Sequence, residues 1–143
     1  VGEGMAALCA NSYVTDEEKD EVREIFESFG KAEFVAENMM DVVAGVSGSS
    51  PAYVYMFIEA LADGAVLQGM PRQQAYTFAA QAVLGSARMV LETGIHPGAL
   101  KDMVCSPGGT TIEAVASLEQ DGLRAAVIRA VDVCTEKSKA MSK

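Results

Sequence analysis

Beyond Asn38, the chain consists of segments that are rich in alanine, methionine and leucine and are apolar on most of their surface. Residues 52–61 are apolar almost all round, with Glu59 as the exception. A helix with so little polar surface has to be covered on most of its sides. It is also too short, and too soon followed by Asp63, to span a bilayer. The pattern therefore predicts a mainly α-helical domain in which helices cover one another.

Glycine and proline divide this region into separate helices. Pro51 lies within a helical pattern, so it either begins a new helix or kinks a continuous one. Gly69 and Pro71 form a stop-and-start pair, with Pro71 in the first turn of a helix over 72–92 that Gly94 ends. Further helices are predicted over 96–104, 112–118 and 123–141. The prediction is a bundle of five or six helices with short connections.

The excess of apolar surface also constrains assembly. A chain of 143 residues has room for one ordinary core, and half of its residues are hydrophobic, which excludes a disordered chain. The many small residues of 72–92 indicate close approach between helices. An obligate oligomer, in which the helices of one subunit cover those of another, would hide the remaining faces. A compact monomeric bundle is the alternative.

The first 36 residues differ in character and predict a β-α-β unit. A strand is expected over 5–14. A helix follows, and Thr15 and Glu18 are expected to form a capping box at its N-terminus. Gly30 is expected to end that helix, and a second strand to follow over 31–36. Two strands alone form a marginal sheet, so we expect the other strands of this sheet to lie outside these residues. We therefore place a domain boundary after residue 36, with 37–143 as the helical domain.

Charge and reactive side chains exclude several classes of function. The net charge is −9 and no basic cluster is present, so neither nucleic acid nor a membrane is expected as a partner. His96 is the only histidine, and Cys9, Cys105 and Cys134 are far apart, so no metal site is expected. Reduced thiols in a cytoplasmic protein are the simplest interpretation. No signal peptide is visible, and the valine at position 1 is consistent with a fragment.

The stretch Ser106-Pro107-Gly108-Gly109-Thr110-Thr111 predicts a small-molecule site. Pro107 fixes one φ angle, and the glycine pair permits conformations that other residues resist. A helix should begin straight afterwards, with Thr110 as N-cap and Glu113 as its capping-box partner. Free N–H groups at that helix end would bind a small anion such as a carboxylate. A tight turn with a good cap and no ligand is the alternative.

No strong nucleophile or acid–base pair accompanies this stretch. The acidic residues Glu59, Asp63, Glu92 and Asp102 are scattered, and a single histidine leaves no Ser-His-Asp or Cys-His arrangement to place. His96 and Pro97 are expected to begin a helix, and Lys101 with Asp102 to form a surface pair. An enzyme of this sequence would rely on positioning and on a cofactor, and hydride transfer from a nicotinamide fits that constraint.

The same stretch, preceded by His96-Pro97-Gly98-Ala99-Leu100-Lys101-Asp102, resembles the hallmark region of the pyrroline-5-carboxylate reductase family. The resemblance extends to Ser47-Gly48-Ser49-Ser50-Pro51-Ala52-Tyr53 and Glu59-Ala60-Leu61-Ala62-Asp63-Gly64, and it covers essentially the whole chain. It implies a helical dimerisation domain, similar to the C-terminal domain of 6-phosphogluconate dehydrogenase. A β-α-β remnant of a Rossmann NAD(P)-binding domain would precede it. An interlaced homodimer, with higher assembly left open, is the implied state.

The resemblance also implies the reaction and its residues. NADPH or NADH, bound mainly outside this chain, would reduce 1-pyrroline-5-carboxylate to L-proline, the last step of proline synthesis. The implied substrate-binding residues are Ser106, Gly108, Gly109, Thr110 and Thr111, with Ser47 and Gly48 from the second motif. Thr111 matches the family threonine whose hydroxyl meets the imine nitrogen, and it is the implied catalytic residue. Ser50 stands where the family usually has glycine, and a simple helix kink is the other explanation of that motif.

Two other functions stay open at this point. β-Hydroxyacid dehydrogenases place a lysine one helical turn after a glycine pair, whereas Ala52 occupies that position here, which argues against them. A helical dimerisation module without activity is the second, because the chain has no G-x-G-x-x-G motif for a dinucleotide. We expect the 143 residues alone to dimerise but not to catalyse.

Overall fold

The computed structural model describes residues 1–142, in which two short strands precede a series of helices. The first elements are β1 (Gly4–Leu8), α1 (Asp16–Glu27) and β2 (Gly30–Phe34). The helices that follow are α2 (Met40–Val43), α3 (Ser50–Leu67), α4 (Arg72–Thr93), α5 (Pro97–Met103), α6 (Thr110–Gln120) and α7 (Leu123–Met141). The predicted mainly helical chain with an N-terminal β-α-β unit is therefore confirmed.

The chain divides into two compact units. One contains Val1–Ser50 and the C-terminal residues from Arg129 onward, and the other is Pro51–Ile128. The first unit thus joins the N-terminal strands to the second half of α7. This division concerns packing within the chain, and the domain boundary after residue 36 stays a prediction.

In the first unit, β1 and β2 form a parallel pair with α1 as the connection between them. The register runs from Gly4 opposite Gly30 to Leu8 opposite Phe34. The predicted capping box of α1 is confirmed, because the Glu18 N–H donates to Thr15 Oγ1 at 3.2 Å and the Thr15 N–H donates to Glu18 Oε2 at 2.8 Å. Both bonds join residues three apart, so the sequence alone specified them.

Two predicted boundaries in this unit are wrong. β1 ends at Leu8 instead of residue 14, because the chain then turns at Asn11, whose side-chain oxygen accepts a hydrogen bond from the Tyr13 N–H at 3.0 Å. α1 ends at Glu27, and Gly30 begins β2 instead of stopping the helix. A Cβ on Gly30 would lie 2.0 Å from the Gly4 carbonyl oxygen. Close approach of the two strands therefore explains this glycine.

In the second unit, α3 and α4 form a hairpin whose core is built from alanines. Ala62, Ala75 and Ala79 are buried, and the side chains packed against them are Ile58, Ala65, Val66 and Met70. Gly69 and Gly94, with φ of 94° and 65°, follow the two helices as predicted. Pro71 is the N-cap of α4, one position earlier than predicted.

The helices of this unit leave many large apolar side chains exposed. Among the described residues no large side chain is fully buried. The exposed ones include Tyr55, Met56, Leu67, Phe78, Leu91, Met103, Val104 and Ile128. Shallow apolar grooves remain between helices, and one of about 500 Å³ is lined by Phe57, Leu61, Ala82, Val83, Ser86, Ala87 and Val90. Within residues 1–142 no helix is both long and apolar enough to cross a membrane.

Candidate functional site

The segment between α5 and α6 contains the predicted anion-binding stretch. α5 begins at Pro97, and His96 caps it by accepting a hydrogen bond from the Gly98 N–H on Nδ1 at 3.0 Å. The histidine is therefore used to start a helix, as expected from the sequence. α5 then ends at Met103, which leaves a short loop before Thr110.

A tight turn at Ser106 brings the chain to the start of α6. The Gly109 N–H donates to the Ser106 carbonyl oxygen at 3.0 Å, which closes the turn. Pro107 and Gly108 occupy the two central positions, and Gly108 has a φ of 65°. Proline followed by a residue with positive φ is the combination that a type II turn requires. The prediction that Pro107 and the glycine pair shape the backbone is confirmed at these positions.

The N-cap of α6 is Gly109, so the predicted capping box of Thr110 and Glu113 is wrong. Gly109 has the extended backbone of an N-cap, and its carbonyl accepts from the Glu113 N–H at 3.4 Å. A Cβ on Gly109 would lie 2.4 Å from Ser106 Oγ. The Ser106 hydroxyl thus fills the space that an N-cap side chain needs, and glycine is the residue that fits.

This one-residue shift changes which donors are available. Thr110, Thr111 and Ile112 form the first helical turn, and their N–H groups precede the first intrahelical bond. The Gly109 N–H is already used in the turn. Ile112 therefore joins the candidate donors, although the sequence analysis did not name it. Placing the N-cap at Gly109 instead of Thr110 would have identified Ile112 as a donor.

The two threonines of this turn are placed differently. Thr110 is exposed and Thr111 is half-buried, and neither hydroxyl forms a hydrogen bond with the described part of the chain. α6 has no side-chain cap, so Thr110 does not perform the capping role expected of it. The hydroxyl of Thr111 stays available for a ligand at the helix N-terminus.

One ion pair lies just before the loop. Lys101 Nζ donates to Asp102 Oδ1 at 2.5 Å, which confirms the predicted surface pair. The hydrogen bond to this carboxylate raises the pKa of Lys101 above its ordinary value. The two charges of this pair balance each other, so it adds no net charge beside the loop.

Ser47 and Gly48 belong to the first unit, whereas the loop belongs to the second. Ala44–Gly48 forms a π-helical turn, and Ser47 Oγ donates to the Val43 carbonyl at 3.2 Å. Pro51 then lies at the second position of α3, so of the two predicted alternatives the structure shows the start of a new helix. A Cβ on Gly48 would meet nothing within 4 Å, so packing within the chain does not explain this glycine.

The described residues offer little for the phosphates of a dinucleotide. The helix that connects the two strands of the sheet, α1, begins with Asp16, Glu17 and Glu18. Acidic side chains in a first turn repel phosphate instead of binding it. Nor do residues 1–142 contain a group of three or more His, Cys, Asp or Glu side chains that could hold a metal ion.

The fold and the loop together define a helical domain that presents a glycine-capped helix N-terminus suited to a small anion. A family model described as pyrroline-5-carboxylate reductase dimerisation matches residues 37–141. The chain belongs to this pyrroline-5-carboxylate reductase dimerisation family.

Relatives of this chain carry the same family name. It is 66% identical over 143 residues to the pyrroline-5-carboxylate reductase of Escherichia coli K12, covering 100% of this chain and 53% of the relative. The corresponding identity with the Methanosarcina acetivorans enzyme is 51% over 143 residues, again with 53% of the relative covered. The chain therefore spans about half the length of these curated relatives.

Solved structures share the fold closely. A pyrroline-5-carboxylate reductase from Coxiella burnetii superposes with a TM-score of 0.95 at 36% identity, over 99% of this chain and 53% of that one. A Plasmodium falciparum pyrroline carboxylate reductase with NADP bound superposes with a TM-score of 0.88 at 39% identity, over 99% of this chain and 54% of that one.

Proposed function

We propose that this chain is the helical half of a pyrroline-5-carboxylate reductase, which reduces 1-pyrroline-5-carboxylate to L-proline. The observation that supports this most directly is the turn at Ser106 with the open first turn of α6 behind it. A positive helix end with unpaired N–H groups suits a carboxylate, and the substrate bears one. The similarity to reductases across the whole chain supports the same assignment.

The substrate carboxylate would be held by backbone donors. The N–H groups of Thr110, Thr111 and Ile112 provide them, with the Ser106 hydroxyl nearby and with Gly108 and Gly109 shaping the approach. The Thr111 hydroxyl would form a hydrogen bond with the ring nitrogen and orient the C=N bond. Ser47 and Gly48 would also contact a ligand, and the open space beside the Cα of Gly48 supports this.

The cofactor would be NADPH or NADH, and its nicotinamide would supply the hydride. Residues outside this chain would hold most of it, since the acidic first turn of α1 is unsuited to phosphate. The bound NADP of the Plasmodium falciparum relative supports a nicotinamide cofactor. We accordingly assign 1–36 to the end of a nucleotide-binding domain and 37–143 to the substrate-binding and dimerisation domain. The three free thiols support a cytoplasmic location.

Assay of a complete protein that contains this chain tests the proposal. Oxidation of NADPH and of NADH is followed at 340 nm with pyrroline-5-carboxylate, and proline is identified as the product. We expect turnover by the complete protein and none by residues 1–143 alone, because the described residues offer little for the phosphates of a dinucleotide. A complete protein that dimerises but does not reduce this substrate would instead support a non-catalytic dimerisation module.

A homodimer would cover the exposed apolar faces of the second unit. Gly64 and Gly85 lie inside α3 and α4, and a Cβ on either would meet nothing within 4 Å in this chain. An interior helical glycine costs about 1 kcal/mol relative to alanine. Close packing of a second copy's helix against these positions would explain both glycines. We leave assembly beyond the dimer open.

Leucine in place of Gly85 is expected to convert the dimer to monomer. A Cβ at this position meets nothing within 4 Å in its own chain, and leucine improves the helix propensity of α4, so we expect a loss of dimer to come from the partner's side. Light scattering after size exclusion measures the mass. Glu21→Leu, on the exposed surface of α1, is the matched control and should remain dimeric. An unchanged dimer in Gly85→Leu would place the interface elsewhere.

A further inference from the structure

The second half of α7 contacts the segment from Asp41 to Ser49 at three places. Ser138 Oγ donates to Asp41 Oδ1 at 2.6 Å, and Cys134 Sγ donates to Ser49 Oγ at 3.2 Å. Between these bonds, Gly45 faces Thr135, which is buried. The three contacts fall four residues apart on the segment, so one helical face of it lies against α7 in antiparallel order.

The middle contact leaves no room for a side chain. A Cβ on Gly45 would lie 2.8 Å from Thr135 Oγ1 and 3.0 Å from the Val131 carbonyl oxygen. The second of these atoms is backbone of α7 and cannot rotate away. Gly45 is also the buried residue of the π-helical turn. The distance between this turn and α7 is therefore set by direct contact.

The turn held in this way is an unusual one. Ala44–Gly48 is π-helical, and the Ser49 N–H donates to the Ala44 carbonyl at 2.8 Å, five residues back. Such turns are rare, occur mostly as single turns within helices, and are frequent at functional sites. The three contacts with α7 lie before, within and after this π-helical turn. Ser47 and Gly48 lie inside it.

We infer that Gly45, Cys134 and Thr135 are positioning residues that hold the π-helical turn so that Ser47 and Gly48 reach the ligand. The inference rests on the proposed function, in which those two residues contact the bound ligand. α7 acts as a fixed support, and Gly45 sets the spacing. The Ser49 hydroxyl is held by the Cys134 thiol, which orients the end of the turn that precedes α3.

Gly45→Ala in the complete reductase tests the inference. The added methyl group pushes the turn away from α7, and a displacement of about 1 Å at a binding site can lower kcat/KM by up to about 100-fold. We expect a fall of at least about tenfold, with the dimer mass unchanged. Thr135→Ala removes the nearer of the two clashing atoms, so in the Gly45→Ala background it should restore part of the lost kcat/KM. A role in stability alone would lower the melting temperature without that change in kinetics.

Ser49→Ala and Cys134→Ala provide a second test that does not depend on Gly45→Ala folding. If the two side chains act through one hydrogen bond, each single variant lowers kcat/KM. The kcat/KM of the double variant is then no lower than that of the less active single variant. Parental kcat and KM in Gly45→Ala or in Cys134→Ala, with an active parent, would overturn the inference and leave the proposed function intact. An inactive parent protein would instead overturn the proposed function.

Discussion

Replacing Thr111 by valine in the complete reductase is expected to lower kcat/KM for pyrroline-5-carboxylate by about 10²–10³-fold, the usual loss for one oriented donor in an active site. Valine keeps the branched shape of threonine and removes only the hydroxyl. That hydroxyl forms no hydrogen bond within the described chain, so the fold loses nothing when it is removed. The loss should therefore appear in the reaction and not in the stability, and steady-state kinetics together with the melting temperature distinguish the two.

Thr111→Ser is the matched control, because it retains the hydroxyl and removes a methyl group. We expect it to keep kcat/KM within a few-fold of the parent. Equal rates for Thr111→Val and the parent would leave the loop as a carboxylate site and reduce Thr111 to a residue of the helix start. Equal losses in both variants would point to packing around the half-buried methyl group.

Replacing Gly30 by alanine is expected to separate the two strands of the first unit. The new Cβ would lie 2.0 Å from the Gly4 carbonyl oxygen and 2.5 Å from its nitrogen, and both atoms belong to the opposing backbone. Overpacking of this kind usually costs about 1–3 kcal/mol, and here relief also requires breaking ladder hydrogen bonds. Urea unfolding should show the loss of stability, and hydrogen exchange should locate it in β1 and β2.

Gly4→Ala is the control on the opposite strand. Its Cβ would lie 3.4 Å from the Phe29 carbonyl oxygen, which is close to ordinary contact. We expect a much smaller change in the free energy of unfolding. A similar loss from both substitutions would mean that strand flexibility, and not the close approach at Gly30, decides the stability of this pair.

Features that depend on residues close in sequence could be predicted. The capping box of Thr15 and Glu18 requires two residues three apart, and the helix end at Gly94 requires only its own φ of 65°. The helical character of residues 37–141 follows from composition and from the spacing of glycine and proline. For these elements the chain itself supplies the partners, and the pattern is sufficient.

The N-cap of α6 could not be located from the capping rules alone. Thr110 has the side chain that those rules favour, yet Ser106 already places its hydroxyl against the Cα of Gly109. Because the turn hydrogen bond between Ser106 and Gly109 starts the helix one residue earlier, the candidate donors shift by one as well. The outcome depended on the three-dimensional path of the turn.

The contact of α7 with the π-helical turn could not be predicted either, and the reason is a different one. Gly45 is a glycine within a helical pattern, and nothing near it in sequence explains why a side chain is forbidden. Its neighbours, Val131 and Thr135, lie about 90 residues further on, so no periodicity connects them. Residues so far apart can be related only once the fold is known.

The first unit combines an N-terminal segment with the C-terminal part of the chain, and this has a consequence for protein synthesis. Asp41, Gly45 and Ser49 find their partners on α7 at Ser138, Thr135 and Cys134, beyond the whole of the second unit. Domains usually fold in the order in which the ribosome releases them. In this chain the N-terminal segment cannot complete its packing at once, since its last partners emerge after every residue of α3 to α6. The turn that bears Ser47 and Gly48 is completed only when translation has passed Ser138, so a chain interrupted before α7 cannot finish it.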